Sequence, residues 1–240
     1  MTKPPDKTLF PGQESIGRWV GLVILGGATA RSALAAPPLT ELSVVTIRWA
    51  LVTGLFALFT LAYVRRPKAT ALASRPIEIL LPLLVASLPY VQDGPPRIVF
   101  DLLRGVESMR SVMSYLFRPV GSVIGEVPAL TMMAVGEAFA VYSMTYLGRS
   151  FSIFTEVRRL VTTGPYRLVR HPLYAGELVA IWGYSLVYAT RWSLGAAVLI
   201  TGLQAWRARV EERKLAEHLP EYAEYRDRTG FLWPRLLGRS

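Results

Sequence analysis

The sequence predicts an all-helical integral membrane protein with about five to six transmembrane helices, including a C-terminal helical hairpin, followed by a cytosolic helix. Of its 240 residues, 52% are apolar and only 18% are charged, which is more apolar than the usual soluble composition. The apolar residues form runs near the roughly 20 residues that cross a bilayer. This composition excludes a disordered chain. The absence of cysteine excludes disulfides, thiolate metal sites and cysteine nucleophiles.

Six apolar runs are the predicted spans. The first follows a polar tail, Met1 to Arg18, and ends at Pro37-Pro38, which cannot continue a helix. The second stops at the basic cluster 65–68, a signal typical of the cytoplasmic side. Only three residues, 190–192, separate the last two runs, which therefore predict an antiparallel hairpin. In chain order the runs are 19–36, 43–64, 77–91, 127–147, 173–189 and 193–205.

Three further segments have other patterns. The third run is short and contains Pro82 and Pro89, so its full crossing is left open. Segment 93–126 mixes charges with apolar residues spaced three and four apart, which predicts an amphipathic helix on the membrane surface or a lid over a lipid substrate. From Trp206 onward the chain is charged with a helical period, which predicts the cytosolic helix.

The positions of Lys and Arg predict the orientation. The net charge is +10, and many basic residues lie in the N-terminal tail, in 65–75, in 148–170 and near the C-terminus. By the positive-inside rule, both termini face the cytoplasm across six crossings of the inner membrane. Contact of these loops with anionic membrane lipids explains the charge better than nucleic acid does, because the chain lacks stacking motifs and a basic recognition helix.

The chain is expected to divide into residues 1–126, with the tail, three spans and connector, and residues 127–240, with the candidate chemistry.

The first candidate region reads LGRSFS at 147–152 and GPYRLVRHPLYAGE at 164–177. Its glycines permit close backbone approach, its prolines fix turns and its tyrosines offer flat apolar faces. Arg167 and Arg170 can bind a carboxylate with paired donors, and His171 can donate or accept a hydrogen bond. Composition alone favours a basic loop at a membrane surface.

The second candidate region reads WRARVEERKL at 206–215 and is followed by a Y-x-x-Y pair. On a helix, Arg207 and Glu211 share a face, and so do Arg209 and Glu212. These residues are either solvated surface pairs or groups that hold a zwitterionic cofactor and an acidic substrate. Their spacing does not decide between the two interpretations.

The order of these motifs resembles the isoprenylcysteine carboxyl methyltransferase and phospholipid methyltransferase superfamily of integral membrane enzymes. The resemblance covers about residues 147–234, over a third of the chain. It is carried by the G-P-Y-R-x-x-R-H-P-x-Y-x-G core, the apolar hairpin and the double glutamate after it. The sequence departs from the family by HLPE at 218–221 and by TGFLWP at 229–234, where the family has a glycine before the tyrosine pair and a valine-proline ending.

The resemblance implies a methyltransferase-like catalytic core that encloses S-adenosylmethionine on the cytosolic face. A lipid or isoprenoid acceptor is implied to enter laterally from the bilayer. Catalysis is assigned to Arg207, Glu211 and His171, with Arg207 orienting the acceptor near the methyl group. The residues implied to hold the cofactor are Gly164, Pro165, Tyr166, Arg170, His171, Pro172, Tyr174, Gly176, Glu211 and Glu212.

Such a site needs few catalytic groups from the protein. A sulfonium methyl group is already activated, so the protein mainly aligns the reactants and excludes water. A carboxylate acceptor needs no general base, whereas an amine or hydroxyl would need one, with His171, Tyr174 or a glutamate as candidates. No metal is required, and two histidines without cysteines form a poor metal-binding set.

Two charged residues, Arg48 and Glu137, fall inside predicted spans. Charges at membrane depth usually face a partner or a cavity. Because their signs are opposite, the two residues are expected either to pair or to leave Glu137 lining a lipid-binding cavity, where it would contribute to substrate binding.

Two other functions stay open at this stage. Sterol-type membrane reductases resemble this architecture and use NADPH. A transporter or non-catalytic scaffold is suggested by Arg31, Arg48 and Glu137, which lie within predicted spans. The R-H-P-x-Y-x-G core with the double glutamate favours methyl transfer over both.

Overall fold

The computed structural model describes residues 11–37, 44–88, 97–121, 124–187 and 189–235. Within these ranges the regular structure is helical, apart from three isolated β-bridges, so the all-helical prediction is confirmed. The helices are α1 Gln13–Leu34, α2 Val44–Val64, α3 Ile77–Ser87, α4 Arg97–Gly105, α5 Glu107–Phe117, α6 Glu126–Leu147, α7 Pro172–Val187, α8 Arg191–His218 and α9 Tyr222–Arg228.

Within the described ranges, α6 is the one helix long and apolar enough, by length and composition, to cross a membrane. The segments Trp49–Val64 and Ile77–Ser87 are shorter apolar helices. The six predicted crossings are therefore not confirmed, and the orientation of the termini stays a prediction. The beginning of the second predicted span, at Ser43, and the end of the third, 89–91, lie outside the described residues.

Two N-terminal elements differ from the sequence expectation. Helix α1 begins at Gln13, inside the predicted polar tail. The reason is that two polar side chains find partners on the segment after α2: Gln13 Nε2 donates to the Ala73 carbonyl at 2.5 Å, and Glu14 Oε1 accepts from the Ala69 amide at 3.2 Å. Segment 93–126 contains two short helices, α4 and α5, because Val106 between them has extended backbone angles.

Glycines let α6 and α7 pack backbone against backbone. A Cβ added to Gly136 would lie 2.4 Å from the Ala180 amide nitrogen, and one added to Gly176 would lie 2.7 Å from that of Ala140. Gly183 is equally close to the backbone of α6. Small residues three or four apart on facing helices allow this close approach. The contact fixes the start of α7 beside α6.

The predicted C-terminal hairpin is formed by α7 and α8. At its turn, Thr190 Oγ1 accepts from the Ser193 amide at 3.0 Å and the Ser193 hydroxyl accepts from the Thr190 amide at 3.1 Å, which is a reciprocal N-terminal cap. Helix α8 then continues for 28 residues, about 42 Å at 1.5 Å per residue. The expected cytosolic helix is therefore the second half of α8, since no glycine or proline follows Gly202 before Pro220.

A buried ion pair joins α3 to the second half of α8. Lys214 Nζ lies 2.9 Å from Glu78 Oε2, and both side chains are almost fully buried. Glu78 also accepts from the Ser74 amide at 2.7 Å, while Leu81 and Val85 pack against Val210. The contact between α3 and α8 depends on both charged residues, because removing one partner of a buried pair leaves an uncompensated charge.

We predict that Gly136→Ala destabilises the protein by about 1–3 kcal/mol, because the added methyl group would overlap the backbone of α7. The free energy of unfolding in detergent measures the effect. The matched control is Gly202→Ala on α8, where a Cβ meets nothing within 4 Å and the better helix propensity of alanine is stabilising. A Gly136→Ala protein as stable as the wild type would contradict this packing.

Candidate functional site

The segment before α7 and the C-terminal end of the described chain lie side by side. The Arg170 amide donates to the Gly230 carbonyl at 2.9 Å, and the Gly230 amide donates to the Leu168 carbonyl at 3.0 Å. From α9, the Tyr225 hydroxyl donates to the Tyr166 carbonyl at 2.8 Å. Burial raises the pKa of Tyr225 to about 12, so this hydroxyl keeps its proton at neutral pH. These bonds hold 166–171 against α9 and the segment after it.

Glu212 of α8 anchors the same segment through one carboxylate oxygen. Its Oε1 lies 2.5 Å from Arg170 Nε and 3.1 Å from His171 Nε2. Burial on its own would raise the pKa of Glu212, but the hydrogen bonds from His171 and Arg170 lower that pKa to about 2. Arg170 also donates to the Thr229 carbonyl at 2.6 Å. Glu212 is therefore ionised at neutral pH and joins three parts of the chain.

The neighbouring Glu211 contacts a different group of side chains. Its Oε1 accepts from the Tyr174 hydroxyl at 2.6 Å and from Arg207 Nε at 3.0 Å. Arg207 is buried and also donates to the Ile153 carbonyl at 3.1 Å. The His171 and Tyr174 rings are stacked with an interplanar angle of 4°. Consecutive helical residues point about 100° apart. Glu212 can therefore contact Arg170 and His171 while Glu211, in the same turn of α8, contacts Tyr174 and Arg207.

These elements enclose a cavity of about 130 Å³, which we call the main cavity. It lies between the segment 150–161, the start of α7, the second half of α8 and α9. Five of the predicted site residues line it, and its remaining wall includes polar residues of 150–161 and two tyrosines of α9. The predicted residues are Tyr166, Arg170, His171, Tyr174 and Glu211; the additional ones include Ser152, Thr155, Glu156, Arg158, Tyr222 and Tyr225.

Three other predicted cofactor residues, Gly164, Pro165 and Gly176, do not line the main cavity. Gly164, with φ of +59°, and Pro165 line a second cavity of about 400 Å³, together with Tyr142 and Trp233. A Cβ on Gly164 would lie 2.5 Å from the Tyr146 ring, so glycine is required there by conformation and by space. Gly176 lies in the contact between α6 and α7 described above.

Four further predicted residues, Pro172, Arg207, Glu212 and Glu137, are not among those that line the main cavity. Pro172 is the buried first residue of α7. Arg207 and Glu212 hold other side chains in place through the contacts given above. Glu137 is half-buried on α6 and interacts electrostatically with Glu177 of α7. The Arg48 side chain lies outside the described part of the structure, so its pairing with Glu137 stays a prediction.

Sequence reasoning missed several polar residues near the site. Gln204 Nε2 donates to Glu177 Oε2 at 2.7 Å between α8 and α7. Arg66 was interpreted as part of a stop signal, yet it is buried against Glu156. The polar residues of 153–161 belong to none of the motifs quoted above. Among the described residues, no group of three or more His, Asp or Glu side chains is placed to hold one metal ion.

Comparison with known proteins supports the resemblance seen in the sequence. Residues 126–221 match the family model of phospholipid methyltransferases. The chain is 42% identical over 82 residues to the cobalt-zinc-cadmium resistance protein CzcN of Cupriavidus metallidurans, covering 32% of this chain and 36% of that protein. It is 33% identical over 106 residues to protein-S-isoprenylcysteine O-methyltransferase B of Arabidopsis thaliana, covering 41% and 54%.

A third match is methanethiol S-methyltransferase of a Pseudomonas species, 39% identical over 71 residues, covering 29% of this chain and 26% of that protein. The chain thus spans between about a quarter and a half of the length of these curated relatives. The resemblance to the isoprenylcysteine and phospholipid methyltransferase superfamily is confirmed, and the matched part contains the cavity walls contributed by α7 and α8.

We predict that Glu212→Gln lowers the free energy of unfolding at pH 7 by on the order of 3 kcal/mol, from a pKa of about 2 in the folded protein and about 4.3 when unfolded. Because the folded-state pKa is depressed, this stabilisation is present above the unfolded pKa. It is lost as the pH falls from about 5 towards 2. Urea titrations of detergent-solubilised protein across this range measure the difference.

The control for this experiment is Glu224→Gln, which changes an exposed residue of α9 that pairs with Arg228. That variant should follow the wild-type acid profile. If Glu212→Gln also reproduced the wild-type slope between pH 5 and 2, the assigned ionisation of Glu212 would be wrong.

Proposed function

We propose, from the phospholipid methyltransferase match of residues 126–221 and the geometry of the main cavity, that this protein is a membrane methyltransferase. It uses S-adenosylmethionine and methylates a lipid-like or isoprenoid acceptor, a carboxylate or an amine, at the cytoplasmic face of the membrane. The observation that carries the proposal is that residues of the segment 166–174 and Glu211 line one cavity, while Glu212 holds Arg170 beside it. Two of the matched relatives are named as methyltransferases with different acceptors.

The polar groups of the main cavity fit S-adenosylmethionine. The Thr155 hydroxyl is buried with no hydrogen-bond partner among the described residues, and buried polar groups are usually paired. Glu211 uses Oε1 for its contacts with Tyr174 and Arg207, so Oε2 is the atom suited to a ligand ammonium group. Tyr166 provides an aromatic surface in the same wall.

When bound, S-adenosylmethionine supplies an electrophilic sulfonium methyl group. The task of the chain is then to orient the acceptor and exclude water, which can lower a barrier by several kcal/mol, up to roughly 7–11 for ideal alignment. We assign Arg207 to orientation of the acceptor, because its guanidinium is held by Glu211 and the Ile153 carbonyl beside the Tyr174 ring. Burial of Tyr166 and Tyr174 in the wall provides the apolar enclosure.

His171 is suited to accept a proton from an amine acceptor. The ionised Glu212 can only accept a hydrogen bond, so the ring nitrogen facing it, Nε2, carries the hydrogen. In the neutral ring, Nδ1 is then the nitrogen that can take up a proton. A carboxylate acceptor needs no such step. Neither the matches nor the described residues favour the NADPH-dependent reductase or the transporter.

We predict that the purified wild-type protein binds S-adenosylhomocysteine, and that His171→Ala or Glu211→Gln weakens this binding at least tenfold, about 1.4 kcal/mol. His171→Ala removes a polar side chain from the cavity wall, and Glu211→Gln removes a negative charge from it. Isothermal titration in detergent measures the affinity, and transfer of labelled methyl groups into extracted lipid measures the reaction. Glu224→Gln is the control and should bind as the wild type does. Absence of binding by the wild type would refute the proposed function.

We further predict that Glu137→Gln changes acceptor selectivity and leaves S-adenosylhomocysteine affinity unchanged. The reason is that Glu137 lies on α6, outside the main cavity, and interacts electrostatically with Glu177. Competition between a prenylated cysteine analogue and an aminophospholipid measures the selectivity. An unchanged product ratio would remove Glu137 from the acceptor site.

A further inference from the structure

A buried cluster of two arginines and one glutamate lies at the part of the main cavity formed by 150–161. Arg66 Nη1 lies 3.3 Å from Glu156 Oε2, and Arg158 Nη2 lies 2.6 Å from the same oxygen. The three side chains are 1–3% exposed. Glu156 and Arg158 line the cavity, as does Thr155.

Glu156 does not accept hydrogen bonds from all the donors of the two arginines. Its Oε2 already accepts from the Ser152 hydroxyl at 2.8 Å as well as from both arginines. Arg158 Nη1 donates to the Pro67 carbonyl. Arg66 Nη2 and Arg158 Nε are nevertheless buried with no hydrogen-bond partner among the described residues, and so is Thr155 Oγ1.

The charge of the cluster is also unbalanced. Two guanidinium groups face one carboxylate, which leaves a net charge of +1 in a buried place. Burial lowers the pKa of Arg158, and although Glu156 opposes this shift, the nearby Arg66 adds to it. Arginine keeps its proton in proteins, so the excess charge cannot be removed by titration. It requires an anion or contact with water.

Two further features suit this cluster to binding an anion. Arg159, the next residue, is exposed and lines the same cavity, which adds positive charge at its rim. The Arg66 guanidinium stacks 3.8 Å from the centre of the Tyr63 ring, and this contact fixes its plane. Arginine donors held in place by such contacts are well suited to recognise carboxylate or phosphate groups.

We propose that Arg158 and Thr155, which line the main cavity, and Arg66, which adjoins them through Glu156, form an anion subsite that binds the carboxylate or phosphate group of a ligand. The inference rests on the proposed function, because that function supplies two sources for the anion. One source is the amino-acid carboxylate of the methyl donor, and the other is an anionic group on the acceptor. The unpartnered donors and the uncompensated positive charge would bind the anionic group from either source in the same way.

The test uses Thr155→Val and Arg158→Gln in the full chain, reconstituted in nanodiscs. Thr155→Val removes only a hydroxyl that has no hydrogen-bond partner among the described residues, so that part of the structure loses no hydrogen bond. This variant keeps the test decisive if Arg158→Gln does not fold. The matched controls are Thr131→Val on α6 and Arg228→Gln on α9, which make the same chemical changes at exposed positions.

The first arm compares the affinity of S-adenosylhomocysteine with that of decarboxylated S-adenosylmethionine, which lacks the carboxylate. If the donor supplies the anion, Arg158→Gln weakens S-adenosylhomocysteine binding at least tenfold and Thr155→Val at least threefold, while the decarboxylated compound binds all variants alike. The second arm compares dodecyl phosphate with dodecanol. If the acceptor supplies the anion, the same losses occur for dodecyl phosphate and not for dodecanol.

Either pattern supports the subsite and identifies its source. Variants that match the wild type in both arms would overturn the subsite and leave the proposed function standing. Failure of the wild type to bind S-adenosylhomocysteine would instead overturn the proposed function, and the dodecyl phosphate arm would still test the subsite. Losses that also appear in the Thr131→Val and Arg228→Gln controls would count against it.

Discussion

The candidate site depends on the partly buried Glu212 carboxylate between Arg170 and His171. Through these contacts one residue of α8 joins the segment before α7, and through Arg170 it reaches the backbone after α9. An ionised carboxylate with two such donors is stable away from water because the hydrogen bonds offset the cost of burial. Glu211, one position earlier, is thereby held towards the cavity. Without this anchor, the segment before α7 would be held by its backbone hydrogen bonds with Gly230 and by the Tyr225 contact, and the Arg170 and His171 side chains would lose their shared acceptor.

Packing farther from the site brings the two sides of the cavity together. The glycine contacts between α6 and α7 set the position of the first turn of α7, which carries Tyr174. The capped turn at Thr190 returns the chain as α8 alongside α7. The Lys214–Glu78 pair then fixes the charged half of α8 against α3. Three separate contacts therefore place side chains that are distant in sequence around one small volume.

The sequence predicts the hairpin and most of the helices from local patterns, namely apolar runs and a tight break. The meeting of the two candidate regions is implied only by the resemblance to the methyltransferase superfamily. It does not predict which neighbour a residue meets. Gly176 indicates a close approach, but only the fold shows that the approaching group is the backbone of α6 rather than a ligand.

Counting charges along the sequence likewise does not predict which charged residue is buried against another. Arg66 contributes to a basic cluster that is typical of a stop signal, yet it is buried beside Glu156, 90 residues later. The continuity of α8 across Trp206 was also not foreseen. A change from apolar to charged composition marks where the surroundings of a helix change, and it does not mark where the helix ends.

The central claim is that a methyl donor lies between the segment 166–174, the second half of α8 and the segment 150–161. Ultraviolet crosslinking of S-adenosylmethionine with a radiolabelled methyl group, followed by peptide mapping, tests this claim most directly. The account predicts label in peptides from residues 150–174 or 206–225 that excess S-adenosylhomocysteine suppresses. Suppressible label confined to peptides from α1, α4 or α5 would contradict it.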